Sequence, residues 1–267
     1  MNPIFSKDGT PIAYSKVGQG PALILVDGAM CYRASGPNGP LADRLSPHFT
    51  VYTYDRRGRG ESGDAKPYAV EREVEDLEAL IEAAGGTADV FGISSGAALA
   101  LEAAKRLPSI RKLVLYEAPF VVDRSRPPVP ELYPAEMDRL LAGNRRGAAV
   151  KLFMRKGVGL PAFVTAMMPL MPAWSKLKAV AHTLPYDTML TIGFQKGEPL
   201  PADYWSSVQA PALVVYGGKS PAWMQNGMKA LAQALPKAES RTLDGETHMV
   251  KPDKLAPLMT EYFRNEN

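Results

Sequence analysis

The chain of 267 residues has a single cysteine, Cys31, and only three histidines, His48, His182 and His248. One cysteine rules out an intrachain disulfide framework and any zinc cage built on cysteines. Three histidines leave three candidates for chemistry that needs an imidazole. A dominant charge is missing too: 31 Lys and Arg face 28 Asp and Glu, for a net charge of +3. So even a balance excludes an electrostatic nucleic-acid binder. No apolar run approaches the ~18 residues that a membrane span needs. Residues 1–20, broken by Pro3, Gly9, Pro11, Gly18 and Gly20, hold no apolar stretch of a targeting signal. The expectation is a cytoplasmic protein with no membrane and no nucleic-acid partner. Its hydrophobic share of 46% and charged share of 22% are those of an ordinary globular chain.

What is present alternates. Ala22–Val26, Thr50–Tyr54, Ala88–Phe91 and Lys112–Tyr116 are short β-rich runs, stopped at Asp27-Gly28, Asp55, Gly92 and Glu117. Helical stretches separate them, which is the pattern of a parallel sheet buried on both faces. Between residues 71 and 84, Val74, Leu77, Leu80 and Ile81 share one helical face, and Gly85-Gly86 ends the pattern. Residues 95–106 read as an Ala-rich helix that stops before Pro108. The rhythm resumes with strands at 212–216 and 240–243 and helices over 223–234 and 255–263. From 120 to 207 it disappears into short helices cut by prolines, with six of the chain's 12 methionines. Two readings of that stretch stand side by side: an adaptable, Met-bearing lid over a site, or a helical subdomain with an ordinary core.

Gly92-Ile93-Ser94-Ser95-Gly96 follows a predicted strand and opens a predicted helix. In that context G-x-S-x-G is a nucleophile elbow: a strand-to-helix reversal that strains the serine backbone and needs glycine where a Cβ would collide. Ser94 Oγ is then placed at the carboxyl edge of the sheet, where open α/β sheets bind ligands.

With this elbow the chain resembles the α/β-hydrolase family over nearly its whole length. The resemblance also rests on Asp27-Gly28, on residues 54–62 (Tyr-Asp-Arg-Arg-Gly-Arg-Gly-Glu-Ser), and on Gly245-Glu246-Thr247-His248 after the last strand. It implies an α/β-hydrolase fold: a mostly parallel twisted sheet flanked by helices, with residues 1–119 and 208–267 as core. Residues 120–207 become the family's helical cap, inserted after its sixth strand. The basic run Arg56-Arg57-Gly58-Arg59 coincides with the family's fourth-strand turn and reads as structural.

A serine hydroxyl needs an adjacent base. His248, on the loop after the last strand, lies at the same sheet edge as Ser94, whereas His48 precedes a strand and His182 falls in the cap. The acid departs from the family's usual pattern, because the loop after the penultimate strand, Gly217 to Trp223, holds no carboxylate. Glu117 ends the strand after the elbow helix. Haloalkane dehalogenases and zearalenone lactonases carry a Glu there, and the lactonases are the more similar, with a Ser-Ser elbow and an Asp-Gly loop. Asp244, or no acid at all, are the alternatives. Oxyanion donors are expected at the amides of Ser95 and, by likeness to the lactonase loop, Gly28, with Ala29 as the neighbouring choice.

The chain is therefore read as a serine hydrolase using Ser94, His248 and Glu117 on a small apolar ester or lactone, with no metal or organic cofactor. Ala29, Met154, Trp174 and His182 are the expected substrate contacts, and a homodimer is compatible with the sequence. Thioester or C–C bond hydrolysis, or acyl transfer, would use the same triad. A low-turnover ligand sensor is the reading from a different class.

Overall fold

The computed structural model describes residues 3–265; the outermost residues of the 1–119 and 208–267 ranges lie outside it. Three short N-terminal strands come first, β1 (Ile4–Phe5), β2 (Pro11–Ile12) and β3 (Tyr14–Val17). Then follow β4 (Ala22–Val26), α1 (Asn38–Leu45), β5 (Thr50–Tyr54), α2 (Val70–Ala83), β6 (Ala88–Ile93), α3 (Ser95–Ala104) and β7 (Ile110–Tyr116). The next segment is helical: α4 (Tyr133–Ala142), α5 (Arg146–Leu152), α6 (Ala162–Met167), α7 (Trp174–Ala179) and α8 (Leu184–Thr191), with a π-helical turn at Phe153–Val158 and short 3₁₀ turns. The chain closes with β8 (Ala212–Gly217), α9 (Ala222–Ala234), β9 (Ala238–Leu243) and α10 (Pro252–Arg264).

The main sheet has the order β3-β5-β4-β6-β7-β8-β9. Only β3 runs antiparallel to its neighbour; the other pairs are parallel. Alternation along the strands sends side chains to opposite faces. Ile24, Val26, Val90, Leu115 and Val214 pack on one face with Leu77 of α2, Leu99 of α3 and Met228 of α9. Leu23, Leu25, Phe91, Val114 and Val215 pack on the other with Leu41 of α1 and Met259 of α10. Burial on both faces explains why these strands read as continuous apolar runs.

The chain moves outward from β4 to β5 and then returns to β6 on the other side of β4. That reversal opens a crevice between the carboxyl ends of β4 and β6, the place where open α/β sheets bind ligands. Asp27-Gly28 leaves one strand there, and Ser94 leaves the other.

The inserted helices have an apolar core of their own, including Tyr133, Met137, Leu140, Val150, Met168 and Leu184. Met30, from the loop after β4, packs into that cluster. A packed core of its own is thus present in the segment, as the second of the two readings has it. Met137 and Met168 fill its interior, while Met167, Met171 and Met189 are exposed. Among the described residues, no helix is long and apolar enough to cross a membrane.

Candidate active site

The elbow is built as its glycines require. A Cβ on Gly92 would lie 2.5 Å from the Gly96 carbonyl oxygen, and one on Gly96 would lie 2.4 Å from the Val26 carbonyl oxygen. Ser94 itself has φ 58° and ψ −128°. Met30 (φ 60°) and Glu117 (φ 47°) also lie in the left-handed region. Each such non-glycine residue costs on the order of 1–3 kcal/mol and persists only where its surroundings over-determine it. The three lie on the segments that follow β4, β6 and β7.

Glu117 is fully buried at the end of β7. Its Oε2 lies 2.8 Å from His248 Nδ1. Its Oε1 accepts from the Gly217 N–H at 2.8 Å and the Ser220 hydroxyl at 2.5 Å. The loop that lacks the family's usual acid therefore supplies donors that hold an acid arriving from the neighbouring strand. Tyr116 steadies the imidazole's loop by donating from its hydroxyl to the Thr247 carbonyl at 2.7 Å. Asp244 is exposed, and no hydrogen bond joins it to His248 among the described residues. His48 lies before β5, at the opposite sheet edge.

Ser94 and His248 face a common cavity of about 410 Å³. No hydrogen bond joins Ser94 to His248 among the described residues. The cavity wall includes Ala29, Ser95, Pro119, Trp223 and Met224 from the sheet-bearing part of the chain. The inserted segment contributes Tyr133, Phe153, Val158, Leu160, Asp187, Thr188, Thr191 and Gln195.

The loop after β4 approaches Ser94 closely: a Cβ on Gly28 would lie 2.9 Å from Ser94 Cβ. Gly28 is buried, and Ala29 is the residue of this loop that reaches the cavity. Asp27, the preceding residue, is buried with Oδ1 unpartnered. Burial pushes its carboxyl up to about 7 even though Arg59 and Arg56 pull the other way. Burial also pushes the Cys31 thiol up to about 12, which leaves it inert as a nucleophile at neutral pH.

The basic run divides in two. Arg57 turns away from the cavity and pairs with Asp76 at 2.6 Å and Asp8 at 2.9 Å. Arg56 and Arg59, both buried, converge on Asp187 of α8 at 2.8 Å each. Ser95 Oγ donates to the same carboxylate at 2.7 Å. Arg56 also holds Glu73 at 2.6 Å.

Three expected substrate contacts are misplaced. Met154 and Trp174 pack on the inserted segment's own core, and neither lines the cavity. Phe153 and Met154 are consecutive in the π-helical turn, so their side chains leave the helix in different directions. His182 also lies away from the cavity, in the turn between α7 and α8. Burial, helped by nearby Arg146, lowers its pKa. Sequence reasoning missed Asp187, Ser220, Phe153 and Trp223. Asp187 had a signal available, being the one acidic residue between Asp138 and Glu198.

The model of the alpha/beta hydrolase family matches residues 25–258. The crystal structure of an alpha/beta hydrolase from Sphaerobacter thermophilus DSM 20745 is 51% identical in sequence. It superposes with a TM-score of 0.90 over 98% of this chain and 99% of that one. The enol-lactonase from Burkholderia xenovorans LB400 superposes with a TM-score of 0.67 over 96% of each chain; at 22% identity this likeness concerns the fold alone. Pimeloyl-(acyl-carrier protein) methyl ester esterase from Xanthomonas oryzae pv. oryzae (strain MAFF 311018) is 37% identical over 107 residues, 38% of either protein. The match to such curated relatives thus spans well under half of their length.

Proposed function

The chain belongs to the alpha/beta hydrolase family, and from that premise we propose that it is a serine hydrolase of small, uncharged, largely apolar carboxylic esters or lactones. The observation that carries the reading is the buried Glu117 carboxylate 2.8 Å from His248 Nδ1, with the imidazole and Ser94 facing one cavity. In this reading His248 Nε2 takes the proton from Ser94 Oγ as the hydroxyl attacks the carbonyl carbon. The same proton passes to the departing alkoxide, and water, deprotonated by His248, then releases the acyl group from Ser94. Glu117 fixes the imidazole tautomer through Nδ1–H and stabilises the imidazolium that forms.

The tetrahedral oxyanion is held by the Ser95 N–H at the first turn of α3 and by the loop after β4. Ala29 lines the cavity and Gly28 does not, which supports the Ala29 N–H as the loop donor in preference to that of Gly28. Inserted helices that close the cavity opposite Ser94 act as the cap. The cavity's one carboxylate among the described lining residues, Asp187, is matched by Arg56 and Arg59, and no Lys or Arg is among those lining residues. A wall with no Lys or Arg among its described lining residues supports an uncharged acyl group against Phe153, Leu160 and Trp223. A methyl ester esterase among the partial-length relatives supports the same bond class. Fold likeness does not carry their substrates over.

The test is labelling by a fluorophosphonate, with turnover of a panel of p-nitrophenyl esters and simple lactones. Wild type is expected to label at Ser94 and to turn over apolar members of the panel. Labelling that persists in Ser94→Ala, or binding of the panel without turnover, would overturn the reading.

A further inference from the structure

Asp187 lies on α8 of the inserted segment, 92 residues beyond Ser95, yet its buried carboxylate meets three groups of the crevice. It accepts from Ser95 Oγ at 2.7 Å, from Arg56 Nη1 at 2.8 Å and from Arg59 Nη2 at 2.9 and 2.8 Å. The two guanidinium groups are themselves clamps on the loop after β4. Arg59 Nη1 donates to the Gly28 carbonyl at 2.7 Å, and Arg56 Nη1 donates to the Asp27 carbonyl at 3.2 Å.

Peptide planarity gives these contacts a consequence. In a trans peptide the C=O of one residue and the N–H of the next point in opposite directions from one rigid plane. Holding the Gly28 carbonyl therefore aims the Ala29 N–H away from Arg59, and holding the Asp27 carbonyl fixes the Gly28 N–H in the same way. Both loop amides that can serve as the second oxyanion donor are oriented by arginines that Asp187 holds. The first donor, the Ser95 N–H, is aimed by α3 itself, whose Ala97 N–H holds the Ser94 carbonyl at 3.0 Å, and Asp187 ties the Ser95 side chain to the arginines that aim the loop.

We propose that Asp187 is a positioning residue for the oxyanion hole: from the inserted segment it holds the two arginines that aim the loop amides and ties them to α3 through Ser95, so that the loop donor is aligned with the Ser95 N–H only when α8 is docked on α3. The assignment rests on the serine hydrolase reading above. It also accounts for the chemistry of the contact. A buried ion cluster stabilises a fold poorly compared with apolar packing of the same volume, whereas directed hydrogen bonds fix orientation in a way that apolar packing does not.

The experiment uses the full chain as Asp187→Asn and as Ser95→Ala. The second variant removes one of the contacts without stranding a buried arginine, so it remains informative if the first does not fold. Turnover of an apolar p-nitrophenyl ester is measured together with the affinity of a boronic acid, whose tetrahedral adduct on Ser94 needs the oxyanion donors. A misaligned donor costs up to the ~10²–10³ of a missing one. Asp187→Asn is therefore expected to lower kcat about 100-fold and Ser95→Ala about 10-fold, each with KM within about twofold and boronic acid affinity falling in step with kcat. A raised KM or a lowered thermal midpoint with kcat unchanged in both variants would make Asp187 a packing residue and overturn the proposal. Fluorophosphonate labelling of wild type separates the two levels. An unlabelled Ser94 brings down the hydrolase reading, while a labelled Ser94 with both variants at wild-type kcat brings down only the role of Asp187.

Discussion

Two buried carboxylates reach the crevice from two different regions of the molecule. Glu117 directly follows β7, at the sheet edge, and touches His248; Asp187 sits on α8, in the inserted helices, and touches Ser95 and two arginines. The first is fixed by register: Ile93 pairs with Tyr116, so the residues after the two strands emerge side by side at one edge. The second is fixed only by how several short helices pack. A sheet edge concentrates chemistry at places that strand order dictates, while an inserted helical layer reaches the same place by contacts that strand order leaves open.

The sharpest way to break this picture is at the nucleophile. Ser94→Ala is expected to abolish ester turnover by about 10⁶-fold, leaving only what the oxyanion donors and binding supply. Kinetics and fluorophosphonate labelling on the same preparation check this. Next comes the carboxylate behind the imidazole. Glu117→Gln keeps the shape but offers His248 the wrong partner, and a loss in kcat of about 10³–10⁴ is expected. Asp244→Asn, at an exposed position, is expected to leave kcat within twofold. Reversal of that pair would move the acid to the loop after β9 and remove the comparison's first member.

The two regions were unequally legible. The strands at 22–26 and 50–54 and the helix ending in Gly85-Gly86 were readable because burial on both faces makes strands into apolar runs and glycine stops the helix. Ser94, His248 and Glu117 followed, because each leaves the carboxyl end of a strand. The inserted segment was not readable at side-chain level. Its helices run six to ten residues, too short for periodicity to separate an inward face from a face turned to the cavity. Met154 and Trp174 were expected on the cavity for being large and apolar, yet those properties serve a private core equally well.

Adjacent residues of the insertion turn that distinction into a measurement. Phe153 lines the cavity and Met154 does not. Phe153→Ala is expected to raise KM for an apolar ester about tenfold, the loss of part of a buried aromatic contact. Met154→Ala is expected to leave KM unchanged and to lower the thermal midpoint by a few degrees through lost packing. Equal effects of the two on KM would mean that the segment meets substrate through more than its cavity wall.

Asp27 is a third buried carboxylate, and it lacks what the other two have. It sits at the sheet edge like Glu117, yet its Oδ1 has no partner, and burial holds its carboxyl up at about 7. A group raised in this way stabilises the fold fully while it is protonated in both states. That contribution is lost as pH climbs from the ordinary value near 3.8 through about 7, because the unfolded chain ionises freely and the folded one does not. Asparagine has the same shape and never ionises. Asp27→Asn is therefore expected to match wild type in thermal midpoint near pH 4 and to exceed it increasingly towards pH 8. At about 2–4 °C per kcal/mol for a chain of this size the gain is several degrees. A difference that stayed flat across that range would mean that Asp27 is as well matched as Glu117 and Asp187, and that Arg56 and Arg59 serve it as fully as they serve the carboxylate of α8.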